Sequence, residues 1–207
     1  MKKIVLAILK CFMYIVIMGI CQAVFSSIIP NDNLLSTLIA DIMFVLVAML
    51  LIKLSKQSIK ARLKINKITL KTIVTVILIA LALNFVFQST QFLFPESMRG
   101  ELASEMDTDL SGVKSFIGFI TVVIIAPLTE EILFRGLILG ELAKCFNMHI
   151  AIILQAVLFG VMHGNIIWAV IAFLSAVLYG YFIRKYENIF TPVAGHMSVN
   201  LLSFILT

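Results

Sequence analysis

Long apolar stretches alternate with short polar breaks along this chain. A bilayer crossing takes about 20 apolar residues, and on that measure the pattern predicts seven spans, at 11–29, 35–52, 70–94, 116–140, 149–164, 166–183 and 190–207. Only the break His163-Gly164-Asn165 separates the fifth from the sixth. The first apolar stretch outlasts the roughly 7–15 residues of a signal-peptide core, so it reads as a retained anchor helix. There is no internal repeat and no low-complexity segment. The expected architecture is an all-α integral membrane protein, one membrane domain over 1–207 folded as a bundle of about seven transmembrane helices.

Composition sharpens this. The chain is 61% hydrophobic and 13% charged, with a mean hydropathy of +1.11, whereas a soluble domain carries about 25% charged residues. So little charge cannot cover a soluble surface. The three cysteines, Cys11, Cys21 and Cys145, are odd in number, fit no metal-site spacing and lie in or beside apolar segments. Free, buried thiols are the simplest reading.

Sixteen Lys and Arg outnumber eleven Asp and Glu, for a net charge of +5. Their placement explains the surplus. Lys2, Lys3 and Lys10 precede the first span, seven more basic residues fall between Lys53 and Lys71, and Lys144, Arg184 and Lys185 follow the fourth and sixth spans. All of these share one side of the seven-span arrangement. The other side has Arg99 and Lys114, and the acidic stretch PESMRGELASEMDTD (95–109) falls there too. By the positive-inside rule the protein is expected in the cell membrane with a cytoplasmic N-terminus and an outward C-terminus. The segment 53–71 is also suited to rest on anionic lipid headgroups. No nucleic acid is needed to account for the charge.

The stretch APLTEEILFRG (126–136) sets Glu130, Glu131 and Arg135 inside an apolar run. Each such charge costs about 2.5–3.5 kcal/mol at a helix centre. Glu131 and Arg135 are four apart with the acid on the N-terminal side, the favourable order for a helical ion pair. Glu130 points about 100° away and has no partner in its own segment. Pro127 removes a backbone hydrogen bond and is expected to bend the helix, leaving a carbonyl for a neighbour or water. Phe159 and His163 are four apart in FGVMH, and His196 and Asn200 are four apart in HMSVN. The depths of these groups agree best if the fifth helix runs on toward Trp168. A carboxylate, two imidazoles and a carboxamide meeting in the bilayer would suffice to hydrolyse an amide without a covalent intermediate. The acid would activate water with help from a histidine, and the second histidine and the Asn would donate to the oxyanion.

Three motifs in this order, EEILFR (130–135), FGVMH (159–163) and HMSVN (196–200), resemble those of the CAAX protease and bacteriocin-processing (CPBP or Abi) family of intramembrane endopeptidases. That family includes the type II CAAX prenyl endopeptidases. The flanking FRG, and LYGY ahead of TPVAGH, fit as well, and the resemblance covers about 115–202. It implies Glu130 as the base that activates water, His163 as its partner, His196 and Asn200 as the oxyanion site, and Glu131 and Arg135 as support for the motif helix. It implies a polar catalytic cavity within the membrane and a peptide or membrane-protein substrate, and it requires no cofactor.

Other readings use the same residues. Glu, His and Asn side chains could bind a divalent metal in a metalloprotease, although no His-Glu-x-x-His helix is present. A non-catalytic membrane protein that binds a bacteriocin or another partner, as an immunity factor does, would also fit the resemblance. A proton-coupled transporter fits less well, because paired broken helices are missing. Asp41 receives no role. His149 reads as solvated, and Gly136 and Gly140 as a place where helices approach closely.

Overall fold

The computed structural model describes residues 2–98 and 113–206. Arg99 and most of the acidic stretch 95–109 lie outside the described residues. Within them every regular element is helical: α1 Lys2–Ile28, α2 Asn33–Leu54, a single turn α3 Ile59–Arg62, and α4 Leu70–Gln88, which tightens into a 3-10 turn at Ser89–Leu93. After the undescribed stretch comes α5, a continuous helix from Val113 to Leu142, then α6 Met148–Val161, α7 Ile166–Tyr186 and α8 Phe190–Leu206. Among the described residues five helical runs are long and apolar enough to cross a bilayer, and α6 and α8 are shorter apolar helices. All seven expected hydrophobic segments are therefore helices, and the chain is a multi-pass membrane protein.

Polar residues start these helices. Asp32, Ser58, Thr69, Asn147 and Asn165 each accept a hydrogen bond from a backbone N–H of the turn that follows. Such caps satisfy donors that the first helical turn leaves without partners. Asn188 does the same for Phe190 at 2.8 Å. It also donates to Asn66 O, while Asn66 Nδ2 donates to Glu187 O at 2.7 Å. Two loops at the basic end of the bundle are tied together in this way.

The main core runs from Phe44, Ala48 and Ile52 of α2 across Leu133, Phe134 and Leu137 of α5 to Ala151, Ile152 and Phe159 of α6. Leucines and phenylalanines on the outside of α1 are more than half exposed, such as Phe12 at 65%. An apolar outer face is what lipid requires.

Several expectations change. α1 begins at Lys2 rather than at residue 11, so Lys3 and Lys10 ride on the helix. A lysine stem can lie along apolar surface while its ammonium reaches a polar partner, and Lys10 Nζ lies 3.6 Å from Glu141. Asp41 is buried and accepts from Gln22 Nε2 at 2.9 Å, which pairs the lone polar groups of the first two spans. His149 is not merely solvated, since its Nδ1 lies 2.7 Å from the Tyr181 hydroxyl. The close approach at Gly136 and Gly140 is made by the α3 turn instead of a spanning helix. A Cβ at Gly136 would lie 2.5 Å from Leu63 Cδ2, and one at Gly140 3.1 Å from the Arg62 guanidinium. Of the cysteines, Cys11 is buried and Cys21 and Cys145 are partly so, all three as free thiols.

Candidate active site

The site is built on α5, which is not a uniform α-helix. π-helical stretches at Phe119–Ile125 and Ile132–Ile138 flank the α-helical Ala126–Glu131. Such wide turns are rare and cluster at functional positions. Here the first has a local cause. Ala126 N–H donates to Thr121 O, five residues back. The next donor in that register belongs to Pro127, which has no N–H, and Val122 O is left without a helical partner. Asn200 Nδ2 of α8 donates to that oxygen at 2.9 Å. The expected loose carbonyl exists, and a motif residue satisfies it.

Glu131 is the electrostatic centre. Its side chain and that of Arg135 are both 0% exposed, with Arg135 Nη1 3.0 Å from Glu131 Oε1. The guanidinium lies between the rings of Phe159, at 4.8 Å, and Tyr179, at 5.4 Å. Stacking of this kind offsets part of the cost of burying the cation. Arg135 Nη2 donates to Ala176 O at 3.3 Å, and Gln155 Nε2 shares that acceptor at 3.1 Å.

The oxygen that meets Arg135 also meets His196, whose Nδ1 lies 2.9 Å from Glu131 Oε1. A carboxylate opposite a guanidinium only accepts, so Nδ1 carries the proton. The Tyr179 ring stacks on the imidazole at 5.2 Å and 26°. Thus α8 delivers a histidine whose orientation is fixed from two sides. Its Nε2 lies 3.8 Å from Glu130 Oε2, and the Glu130 side chain is 26% exposed. That distance is too long for a direct hydrogen bond.

A cavity of about 450 Å³ opens beside this set, lined by His163, Tyr179, His196 and Asn200 and by Asn84 and Gln88 of α4. Glu130 is outside the lining and reaches it through His196. His163 sits just past the end of α6, which stops at Val161 instead of continuing toward Trp168. Gly164, at φ 71°, turns the chain there. His163 Nδ1 nevertheless lies 2.8 Å from Phe159 O, and the two rings are 4.7 Å apart. A carbonyl only accepts, so Nε2 is left as the basic atom of this imidazole. Gly160 sets the stage by close packing, because a Cβ there would lie 2.6 Å from Ala169 O of α7.

The structure thus joins Glu130, Glu131, Arg135 and His196 in one contact network, and the cavity gathers His163 and Asn200 around His196. Glu130 makes its polar contact with His196, whereas the motif pattern pairs it with His163. Gln155 and Tyr179 went unnoticed as supports for Arg135, although Tyr179 lies in the LYGY stretch that signals the family. Phe159 touches Phe134, Arg135, His163 and His196 together. Among the described residues no three His, Cys, Asp or Glu side chains are grouped so as to hold a metal ion.

Residues 112–202 match the family model described as "Type II CAAX prenyl endopeptidase Rce1-like". YdiL of Bacillus subtilis (strain 168), provisionally named a membrane peptidase, is 29% identical over 87 residues, a match covering 40% of this chain and 34% of YdiL. The chain therefore spans about a third of that relative's length. No solved structure matches it. All the motif residues described above fall inside the matched segment, so it is over residues 112–202 that this chain is similar to the Rce1-like endopeptidases.

Proposed function

We propose that this chain is a glutamate-dependent endopeptidase that hydrolyses a peptide bond of a membrane-associated peptide or protein. One observation carries the reading: His196 is held at Nδ1 by Glu131, with Nε2 3.8 Å from Glu130. In this scheme Glu130 takes a proton from water as the oxygen attacks the scissile carbonyl, and His163, through Nε2, assists the transfer. The oxyanion then receives hydrogen bonds from His196 and from the second N–H of the Asn200 amide. To donate there His196 must carry protons on both nitrogens, so it acts as an imidazolium with Glu131 as counter-ion. Collapse of the intermediate expels the amine, which leaves with the proton first taken by Glu130. We place the N-terminus in the cytoplasm on the distribution of Lys and Arg.

Comparison of membrane peptides from cells carrying the wild-type chain or Glu130→Gln tests the activity. Fragments present only with the wild type support proteolysis. A binding role, such as immunity to a bacteriocin, would instead leave the cell's phenotype intact in Glu130→Gln.

A metalloprotease would draw on the free Nε2 atoms and Glu130. On the scheme above, purified protein keeps its turnover after exhaustive chelation and contains far less than one metal ion per chain. Loss of activity on chelation, with recovery on adding back a divalent ion, would replace the scheme.

Pro127→Ala provides a finer check. The new N–H competes with Asn200 for Val122 O and loosens an oxyanion donor. Turnover should fall about three- to tenfold, the equivalent of one hydrogen bond of about 1 kcal/mol, while membrane insertion is unchanged. An increase in turnover would show that the contact between α5 and α8 restrains the site instead of organising it.

A further inference from the structure

A second cavity, of about 510 Å³, opens at the basic end of the bundle, where α2 and α7 finish and α6 begins, and shares Arg135 with the candidate active site. Arg62, Lys64, Arg135 and Arg184 line it together with Ser58, and no carboxylate is among its lining residues. The nearby acids leave much of this charge unanswered. Glu141 is met by Arg62 at 2.6 Å, Lys144 at 2.7 Å and Lys10 at 3.6 Å, so three cations share a single carboxylate. Among the described residues Lys64 pairs only with the exposed Glu187, a contact of little strength in water. Arg184 lies over the Tyr181 ring at 5.9 Å, and among the described residues no carboxylate pairs with it. Arg135 is 2% exposed, and among the described residues its Nε has no hydrogen-bond partner.

We infer that this cavity binds the phosphate group of an anionic phospholipid. Arg135 and Arg62 are paired with Glu131 and Glu141, so Arg184 and Lys64 supply the charge that selects an anion, and a guanidinium matches phosphate oxygens in a fork geometry. The position fits a headgroup, since basic pockets between membrane helices at their ends are where anionic lipids dock. Leu139, Met148 and Ile183 complete the wall with apolar surface, which suits the glycerol and first methylenes of a lipid better than a free ion. Arg62 ties the cavity to the motif helix, because its Nη2 also donates to Leu137 O within the second π stretch at 2.9 Å. Occupancy of the cavity would thus be felt on α5, close to Arg135.

The test uses the purified full-length protein in phosphatidylcholine nanodiscs with increasing phosphatidylglycerol, and native mass spectrometry to read retained lipid. Wild type should keep phosphatidylglycerol over phosphatidylcholine. Arg184→Gln and Lys64→Asn should each weaken that preference about fivefold, and the double variant about 25-fold if the two act independently. Asn is chosen at position 64 because the residue sits at φ 50°, a conformation Asn tolerates. Both side chains are clear of the active-site network, and matched thermal unfolding in phosphatidylcholine alone checks folding. Addition of inorganic phosphate separates the two sources of the same chemistry. A rise in unfolding temperature with phosphatidylglycerol alone assigns a lipid headgroup, and an equal rise with phosphate assigns a free ion. No lipid preference in the wild type together with no rise in either case, or full preference retained by Arg184→Gln and by the double variant, overturns the inference.

Discussion

Glu130→Gln is expected to lower turnover by about a thousandfold, within the range of about 10²–10⁴ for loss of a general base. The substitution keeps the size and shape of the side chain and removes only its ability to hold a proton taken from water. It should leave the fold alone. Glu130 is a quarter exposed and its neighbour is the imidazole of His196 at 3.8 Å, whereas the buried guanidinium belongs to Glu131. Thermal unfolding of the variant in the same detergent should therefore match the wild type. His163→Ala should give a comparable loss, with an equally undisturbed fold, because His163 is exposed in a turn. Full turnover in either variant would remove the assignment of roles. A collapse of both turnover and stability in Glu130→Gln would move Glu130 into the structural class now occupied by Glu131.

Arg135→Met is expected to destabilise the protein by about 3–5 kcal/mol, the cost of breaking a buried ion pair from one side. The carboxylate left behind is 0% exposed, and among the described residues its Oε2 has no hydrogen-bond partner. His196 cannot take over both roles. Replacing the pair with apolar residues of similar size, as in Glu131→Leu with Arg135→Met, should restore much of the stability. Turnover should stay low in that double variant, because His196 Nδ1 then loses the carboxylate that fixes the ring. Unfolding in mixed micelles measures the first effect, and a peptide-cleavage assay the second. Stability close to wild type in the single variant would mean that water or lipid reaches Glu131.

The sequence made some of this visible and hid the rest for physical reasons. The seven apolar helices and the Glu131–Arg135 pair depend on short spacings, which the chain states directly. The bond between His196 and Glu131 joins positions 65 residues apart. It depends on how α5 is rotated about its axis, and two π stretches alter that rotation in a way simple α-helical spacing misses. The end of α6 at Val161 was hidden because Met162 is apolar and continues the pattern, while the turn is made by Gly164 and the cap by Asn165. Gln22 and Asp41 sit in separate apolar spans, and no spacing in the sequence links them. Only the packing of α1 on α2 reveals them as a pair.

The wide turn ahead of Pro127 has a consequence for how this segment tolerates length changes. A π-helical turn holds one residue more than an α-helical one, so deleting a single residue between Phe119 and Ile125 could be absorbed by regularising the coil. The helix would survive, and with it hydropathy and membrane insertion. Everything downstream would keep its facing, the acid pair toward α8 included, whereas one residue lost from a regular α-helical turn would swing it by about 100°. This segment therefore tolerates the loss of one residue at the wide turn better than anywhere along a regular α-helix.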